Sequence, residues 1–343
     1  MMCVQYLYQY TILFLLKDYY LFLLITPFIT MSNNLIIGYV TKKMYPDYIC
    51  YGKIEKEKLK EIKKNVVGLM IGKICIASRN SLDNICISIY LDLATVAMYG
   101  NYYSIFAAVN AFIAVITSSM HAGVGNSIAV DSVEKNYRDF NMFTFLYMWI
   151  AGWCTICLLC LYQPFMEMWM GKKFLFPMST VTLFCVYFYC LKLGDIRSIY
   201  SNATGMFWNS RYYVVVESFC NIILNFILVK YFGVNGIIIA TNISIVFVNF
   251  ICGLRILFKN YFKNNKLKKY ILSHICYALV TIINCMIVYI SCYYITFNGI
   301  FGFIIRLGCC IIIPNIFYWL IYRKTKLYKE SKNFVLNSVI KKI

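Results

Sequence analysis

Charged and amide side chains inside an apolar stretch are the features of this sequence that could do chemistry. The stretch 68–91 is long enough to cross a membrane, yet it carries Lys73, Arg79, Asn80, Asp83, Asn84 and Ser88. At about 100° per residue, Lys73, Asn80 and Asn84 share one helical stripe, and Ser88 lies beside it. Arg79 and Asp83, spaced i,i+4, lie on the adjoining edge.

A buried charge at membrane depth is costly, about 2.5–3.5 kcal/mol at the centre of a helix. The polar face of 68–91 therefore predicts that this helix lines a hydrophilic cavity. The alternative is an Arg79–Asp83 pair satisfied inside a helix bundle, with Lys73 reaching the membrane surface through its long stem.

A second apolar stretch, 175–200, carries Lys192, Asp195 and Arg197. Lys192 and Asp195 are spaced i,i+3 and can pair, whereas Arg197 lies near a helix end and either lines a cavity or extends to the surface. Glu217 and Arg306 are isolated charges further inside their stretches, and for both a cavity role and a structural role remain open.

Metal and catalytic motifs are weak or missing in the sequence. Cys154, Cys157 and Cys160 have a C-x-x-C-x-x-C spacing but no fourth nearby ligand, so they fit small hydrophobic residues better than an iron–sulfur cluster. His121 and His274 have no partner at i,i+3 or i,i+4. The sequence GLMIGK (68–73) fails the P-loop pattern, and no hydrolase or metalloprotease signature is present. We expect no enzymatic activity and no cofactor.

Composition defines the elements that must position these residues. The 343 residues are 61% hydrophobic and only 14% charged, with a mean hydropathy of +0.68, which indicates an all-α polytopic membrane protein. Hydropathy predicts about ten transmembrane helices. They lie near 4–16, 19–41, 68–91, 99–128, 141–163, 175–200, 211–231, 234–255, 270–296 and 299–322.

The net charge of +19 arises from Lys and Arg residues that concentrate in alternate breaks between the apolar runs. This is the positive-inside pattern, and it predicts that both termini are cytoplasmic. No reader motif for nucleic acid is present, so nucleic-acid binding is disfavoured.

Four segments follow from this scheme. Residues 1–41 hold two helices, and 42–67 form a cytoplasmic amphipathic connector in which 53–64 has the charge pattern of a surface helix. Residues 68–255 hold six spans with short loops. Residues 256–343 add two transmembrane helices and a basic tail.

The ordered series of short stretches along 19–262 resembles the polysaccharide/O-antigen flippases (Wzx-like), which have a MATE-like fold and belong to the superfamily of multidrug and lipid-linked oligosaccharide exporters. The stretches are KKMYPDYICYG (42–52), KIEKEKLKEIKKNVVGLMIGKI (53–74), SRNSLDNICIS (78–88), VAMYGNYYSIFAAVNAFI (96–113), GVGNSIAVDSVEKNYRDF (123–140), QPFMEMWMG (163–171), YSNATGMFW (200–208) and LVKYFGVNGIIIATNIS (228–244).

The resemblance implies two six-helix lobes around a central cavity, often followed by two further helices. In that frame 68–255 is the C-terminal lobe, 270–322 is the added pair, and 1–41 is the remnant of an N-terminal lobe that lacks about four helices. A missing N-terminal lobe or a second copy of the chain is then an expected partner, besides membrane lipids.

The resemblance also implies a substrate, an undecaprenyl-pyrophosphate-linked oligosaccharide moved by alternating access across the bacterial cytoplasmic membrane for surface polysaccharide biosynthesis. Cationic cavity residues suit the pyrophosphate. We expect Arg79, then Lys73 and Lys192, to bind it, and Asp83 to hold Arg79. The other expected polar cavity residues are Asn80, Asn84, Ser88 and Asp195.

Three alternatives remain open. A drug or cation antiporter of the same fold would have a mainly acidic and aromatic cavity. A membrane glycan polymerase or acyltransferase would need a long outer loop or an in-membrane His/Asp pair, and the outer loop near 164–174 has no His. An inactive truncated fragment would only associate with a complete transporter.

Overall fold

The computed structural model describes the backbone of residues 2–47, 52–297 and 299–340, and it is all-α over these ranges. The first helices are α1 (Met2–Leu15), α2 (Tyr19–Met44), α3 (Lys56–Tyr90), α4 (Leu93–Val130) and α5 (Val133–Met170). The middle helices are α6 (Met178–Lys192), α7 (Asp195–Ala203), α8 (Phe207–Phe232), α9 (Val234–Ile243) and α10 (Ile251–Leu257). The last are α11 (Leu267–Tyr293), α12 (Gly299–Tyr322) and α13 (Lys326–Ile340).

Eight helical segments of the described chain are long and apolar enough to cross a membrane, so the protein is a membrane-embedded, multi-pass protein. They match eight of the ten expected spans. The expected span 4–16 is helical as α1, but α1 has only 14 residues. The expected span 68–91 forms the C-terminal part of α3. Because α3 carries many polar residues, it is not among the eight apolar segments.

The chain divides into two units, Met1–Leu59 and Lys60–Ile343. In the first unit, α1 and α2 pair as a helical hairpin. The amide Nε2 of Gln9 donates to the carbonyl of Phe22 at 3.3 Å, and Asp18 caps α2 by accepting from the backbone N–H of Tyr20 at 2.8 Å.

In the second unit, α5 is the central helix. It packs against α4, α6, α11, α12 and α13 and carries the largest set of buried side chains. Large aromatic residues such as Phe140 and Tyr162 are almost fully buried in the resulting core. The indole N–H of Trp149 donates to Asn315 on α12 at 2.8 Å, and α11 also packs against α5, so both C-terminal spans contact the central helix.

The helix α3 differs from the expectation of a separate surface helix followed by a span. It runs without a break from the charged connector to Tyr90, and 56–90 contains no proline that would end it. Its Gly68 lies against the start of α8, where a Cβ would stand 2.8 Å from the backbone carbonyl carbon of Phe207. Only glycine allows that approach.

Two expected single spans are interrupted helices. The first breaks between α6 and α7 at Leu193 and Gly194, between two of the predicted charges. The second contains π-helical turns at Ser244–Phe250 and Phe258–Phe262, on either side of α10. Irregular backbone at membrane depth is tolerated where protein or a cavity surrounds it, and π turns are frequent at functional sites.

Candidate functional site

Arg79 forms a buried ion pair with a residue that is distant in sequence. Its Nη1 lies 2.5 Å from Oε1 of Glu217 on α8, and the side chains are 9% and 4% exposed. The sequence predicted a local partner, Asp83. The structure corrects this, because α8 packs beside α3 and presents a carboxylate nearer to the guanidinium than the next turn of α3 does.

Asp83 is buried one turn further along α3 and has its own donors. The amide of Asn225 on α8 donates to Oδ1 at 2.9 Å, and the hydroxyl of Tyr99 on α4 donates to Oδ2 at 3.4 Å. Asp83 therefore links α3, α4 and α8 through hydrogen bonds. The carboxylate that pairs with Arg79 is that of Glu217, not the expected Asp83.

The network continues from Glu217 to a second buried arginine. Asn249, in the first π-helical turn, donates from Nδ2 to Oε2 of Glu217 at 2.6 Å and accepts at Oδ1 from Nη2 of Arg197 at 2.7 Å. Nη1 of Arg197 donates to the hydroxyl of Tyr213 at 2.7 Å. Arg197 is thus buried inside the second unit, and its side chain does not extend to the surface as the alternative interpretation proposed.

The backbone opposite Arg197 makes room for it. A Cβ at Gly253 on α10 would stand 1.6 Å from Nη1 of Arg197, so a larger residue there would displace the guanidinium. This pairing could not be predicted from the sequence, since the two residues are distant in the chain and neither belongs to a motif.

Lys192 and Asp195 form the predicted i,i+3 pair across the break between α6 and α7. Nζ of Lys192 lies 3.1 Å from Oδ2 of Asp195, and it also donates a short hydrogen bond to Oδ1 of Asn110 on α4. Asp195 accepts a short hydrogen bond from the hydroxyl of Tyr147 on α5. Asp195 is partly exposed, whereas Lys192 is almost fully buried.

Arg79 and Lys192 line the same cleft, although they lie on different helices. The cleft has a volume of about 360 Å³ and is enclosed by α3, α4, α6 and α7. Its polar lining residues are Arg79, Tyr103, Asn110, Thr117, His121, Tyr187, Lys192, Asp195, Ser198 and Asn202. Asp195 is the one carboxylate among the described lining residues, and Glu217, the partner of Arg79, does not line the cleft.

Three further predicted cavity residues are not brought to this cleft. Lys73, Asn84 and Ser88 are exposed and do not line it. Asn80 lies on α3, but its side chain is outside the described residues. The inward face of α3 is the edge that carries Arg79 and Asp83, because those two side chains bond to α8.

Several cleft residues were missed from the sequence. Asn110 and His121 lie on the same face of α4 and resemble ordinary polar residues of a long apolar helix. The spacing of Asn110, Ala114, Thr117 and His121 at three- and four-residue steps is a weak signal of a polar stripe, which could have identified α4 as a cavity wall.

A separate, apolar groove of about 720 Å³ lies between α5, α6, α10 and α11. Its lining includes Leu159, Val186, Ile275, Ile282 and Met286. His274 borders it; the imidazole is buried against the rings of Phe250 and Tyr270, and neither nitrogen has a hydrogen-bond partner within the described part of the chain. Among the described residues, His274 belongs to no group of three or more possible metal ligands.

Comparisons with known proteins add no assignment, since no family model, curated protein or solved structure matches the chain.

Proposed function

We propose that the protein is a flippase that moves an undecaprenyl-pyrophosphate-linked oligosaccharide across the bacterial cytoplasmic membrane. The observation that carries this proposal is that Arg79 and Lys192, on two different helices, line one polar cleft in a membrane-embedded protein. A lipid-linked glycan presents a pyrophosphate, sugar hydroxyls and a hydrocarbon tail, and each needs a different surface.

The pyrophosphate requires cations that are held at membrane depth. Arg79 supplies a guanidinium that can bind a phosphate through two parallel N–H groups, and Lys192 supplies a point charge. Both are already paired, with Glu217 and Asp195. In this proposal the substrate competes with these carboxylates, and the protein ion pairs re-form when the substrate leaves, so neither charge is unpaired in the empty state.

The glycan requires hydrogen-bonding side chains, and the cleft offers amides and hydroxyls from Asn110, Asn202, Thr117 and Ser198. The hydrocarbon tail requires an apolar surface, which the bilayer and the apolar groove provide. An antiporter for hydrophobic cations would instead need an excess of acidic groups at the cleft.

Alternating access requires a second body that rocks against the lobe around the bound substrate. In this proposal the cleft is one wall of the translocation path. A facing lobe or a second copy of the chain forms the other wall. Transport would proceed without a nucleotide, driven by an ion gradient or by substrate flux.

The experiment uses the full chain in liposomes with a fluorescent short-chain polyprenyl pyrophosphate disaccharide, and an impermeant quencher reports the label on each leaflet. The variants neutralise each pair together, as Arg79→Gln/Glu217→Gln and Lys192→Gln/Asp195→Asn, so that no buried charge is left alone. Lys73→Gln is the matched control, because it removes an exposed cation from the same helix as Arg79.

We expect both double variants to lose at least about tenfold in transport rate, since each removes a charge-assisted contact worth about 1.5–3 kcal/mol. Lys73→Gln should keep the wild-type rate. Wild-type chain that moves a cationic dye but no pyrophosphate lipid would favour the antiporter. Chain that moves neither, alone or co-reconstituted with a second tagged copy, would refute the proposal.

A further inference from the structure

Three cysteines from three different helices converge inside the second unit. They are Cys160 on α5, Cys292 on α11 and Cys310 on α12, and their sulfur atoms all lie within 4.8 Å of one another. All three side chains are buried and all three are free thiols. The C-x-x-C-x-x-C spacing in the sequence did not predict this, because Cys160 is the one member of that motif among the three.

Hydrogen bonds and buried side chains surround the three cysteines. The carbonyl of Cys310 accepts from the indole N–H of Trp153 at 2.9 Å and from the thiol of Cys157 at 3.9 Å. Ile156 and Val288 pack against the thiols and are fully buried. The sulfur atoms therefore stand among buried, mainly apolar neighbours.

We propose that Cys160, Cys292 and Cys310 form a three-coordinate binding site for a soft monovalent cation of the Cu(I) class. Metal–sulfur bonds of about 2.3 Å place three ligands of a trigonal site roughly 4 Å apart. The sulfur atoms already lie within 4.8 Å of one another, and side-chain rotations that move them by less than about 1 Å bring them to that spacing. The site would join the two additional helices to the central helix.

The choice of ion follows from the donor atoms. Thiolate and thioether sulfur selects Cu(I), whereas structural zinc sites are almost always four-coordinate. Among the described residues, the ligand atoms that all lie within 4.8 Å of one another here are these three sulfur atoms and no fourth. A cavity of about 500 Å³ reaches Cys160 and Cys292, and its lining includes two further soft donors, Met168 and Met178, which provide an access path for such an ion.

Charge balance involves a residue that the proposed function does not use. Thiols that bind the ion as thiolates release their protons, which leaves net negative charge in the apolar site. Arg306 lines the same cavity as Cys160 and Cys292, and its Nη2 donates to the carbonyl of Ile295 at 2.7 Å. The guanidinium is thereby fixed where it can offset that charge.

The test measures Cu(I) binding by the reduced full chain in detergent, in competition with a chromophoric Cu(I) chelator under anaerobic conditions. The site variant is C160S/C292S/C310S. The matched control is C154S/C185S/C190S, which removes three other buried thiols from the same unit. Wild type and control should each bind one Cu(I) per chain more than the site variant. Arg306→Gln should weaken binding roughly tenfold and keep the stoichiometry.

Equal stoichiometry in wild type and site variant would overturn the proposal, as would a preference for Zn(II) over Cu(I) at these residues. X-ray absorption of the Cu(I)-loaded wild type provides a second measurement that needs no variant. Three sulfur neighbours are expected. Two or fewer would refute the three-coordinate site, even if the site variant did not fold.

Discussion

Removing one partner of the buried Arg79–Glu217 pair should destabilise the protein much more than removing both. The ion pair is 2.5 Å long, and its side chains are 9% and 4% exposed. Glu217→Met leaves the guanidinium buried without its closest counter-charge, which costs about 3–5 kcal/mol in comparable pairs. It also removes the acceptor of Asn249, at a further cost of about 1 kcal/mol.

The double variant Arg79→Met/Glu217→Met removes both charges, and with them the desolvation free energy of burying these charges. It should lose far less stability than the two single variants added together, with a coupling energy of at least about 2 kcal/mol. The exposed pair Lys172–Glu167 is the internal control. Its atoms are 3.4 Å apart, its side chains are 83% and 47% exposed, and its coupling should stay below about 1 kcal/mol.

The assay is unfolding of the purified chain in mixed micelles by increasing fractions of sodium dodecyl sulfate, followed by tryptophan fluorescence. Free energies of unfolding of the wild type, the two single variants and the double variant at each pair close a double-mutant cycle. A coupling energy at Arg79–Glu217 no larger than that at Lys172–Glu167 would refute the reasoning. The reasoning would also be refuted if the Arg79→Met or the Glu217→Met single variant had the same free energy of unfolding as the wild type.

Two further predictions concern α3 and the cap of α4. Gly68→Ala should lower the free energy of unfolding by about 1–3 kcal/mol, because its methyl group would meet the backbone of Phe207. Gly72→Ala on the same helix has open space and should raise it by about 0.5–1 kcal/mol, and equal effects at both positions in the same unfolding assay would contradict this packing. Asp92→Ala should lower the melting temperature, since Asp92 accepts from the backbone N–H of Thr95 at 2.7 Å, and this bond lowers the pKa of the carboxyl. A depressed pKa means that the cap is fully effective above about pH 4, the unfolded value, and is lost as pH falls through the folded value. The difference in melting temperature between wild type and variant should therefore be constant at neutral pH and shrink on acidification, and a difference that grew below about pH 4 would exclude this cap.

Helix positions were largely predictable from the sequence, because a run of apolar residues reports directly on burial in a membrane. The pair Lys192–Asp195 was predictable as well, because partners three residues apart on a helix are neighbours whatever the fold is. The break at Gly194 was missed, since hydropathy averages over a window and does not detect a two-residue interruption.

Contacts between distant segments were not predictable. Helical spacing places Asp83 near Arg79, but it carries no information about which helix packs beside them, so Glu217 was not identified as the partner. The cysteines show the same limit. Cys160 has two cysteines nearby in sequence, and the structure instead brings it to Cys292 and Cys310, more than 130 residues away.

The π-helical turn at Ser244–Phe250 sets the angular phase of its helix. Thr241 and Asn249 contact Asn221 and Glu217, which are one turn apart on α8. In an uninterrupted α-helix, eight residues would leave Thr241 and Asn249 roughly 80° apart. A π-helix, with about 4.4 residues per turn, turns about 18° less at each residue, and six such residues bring the two side chains to within about 30°. The wider turn therefore works as a rotational offset. With this offset, the amide of Asn249 contacts Glu217 and Arg197. The hydroxyl of Thr241, one segment earlier, still contacts Asn221 on α8.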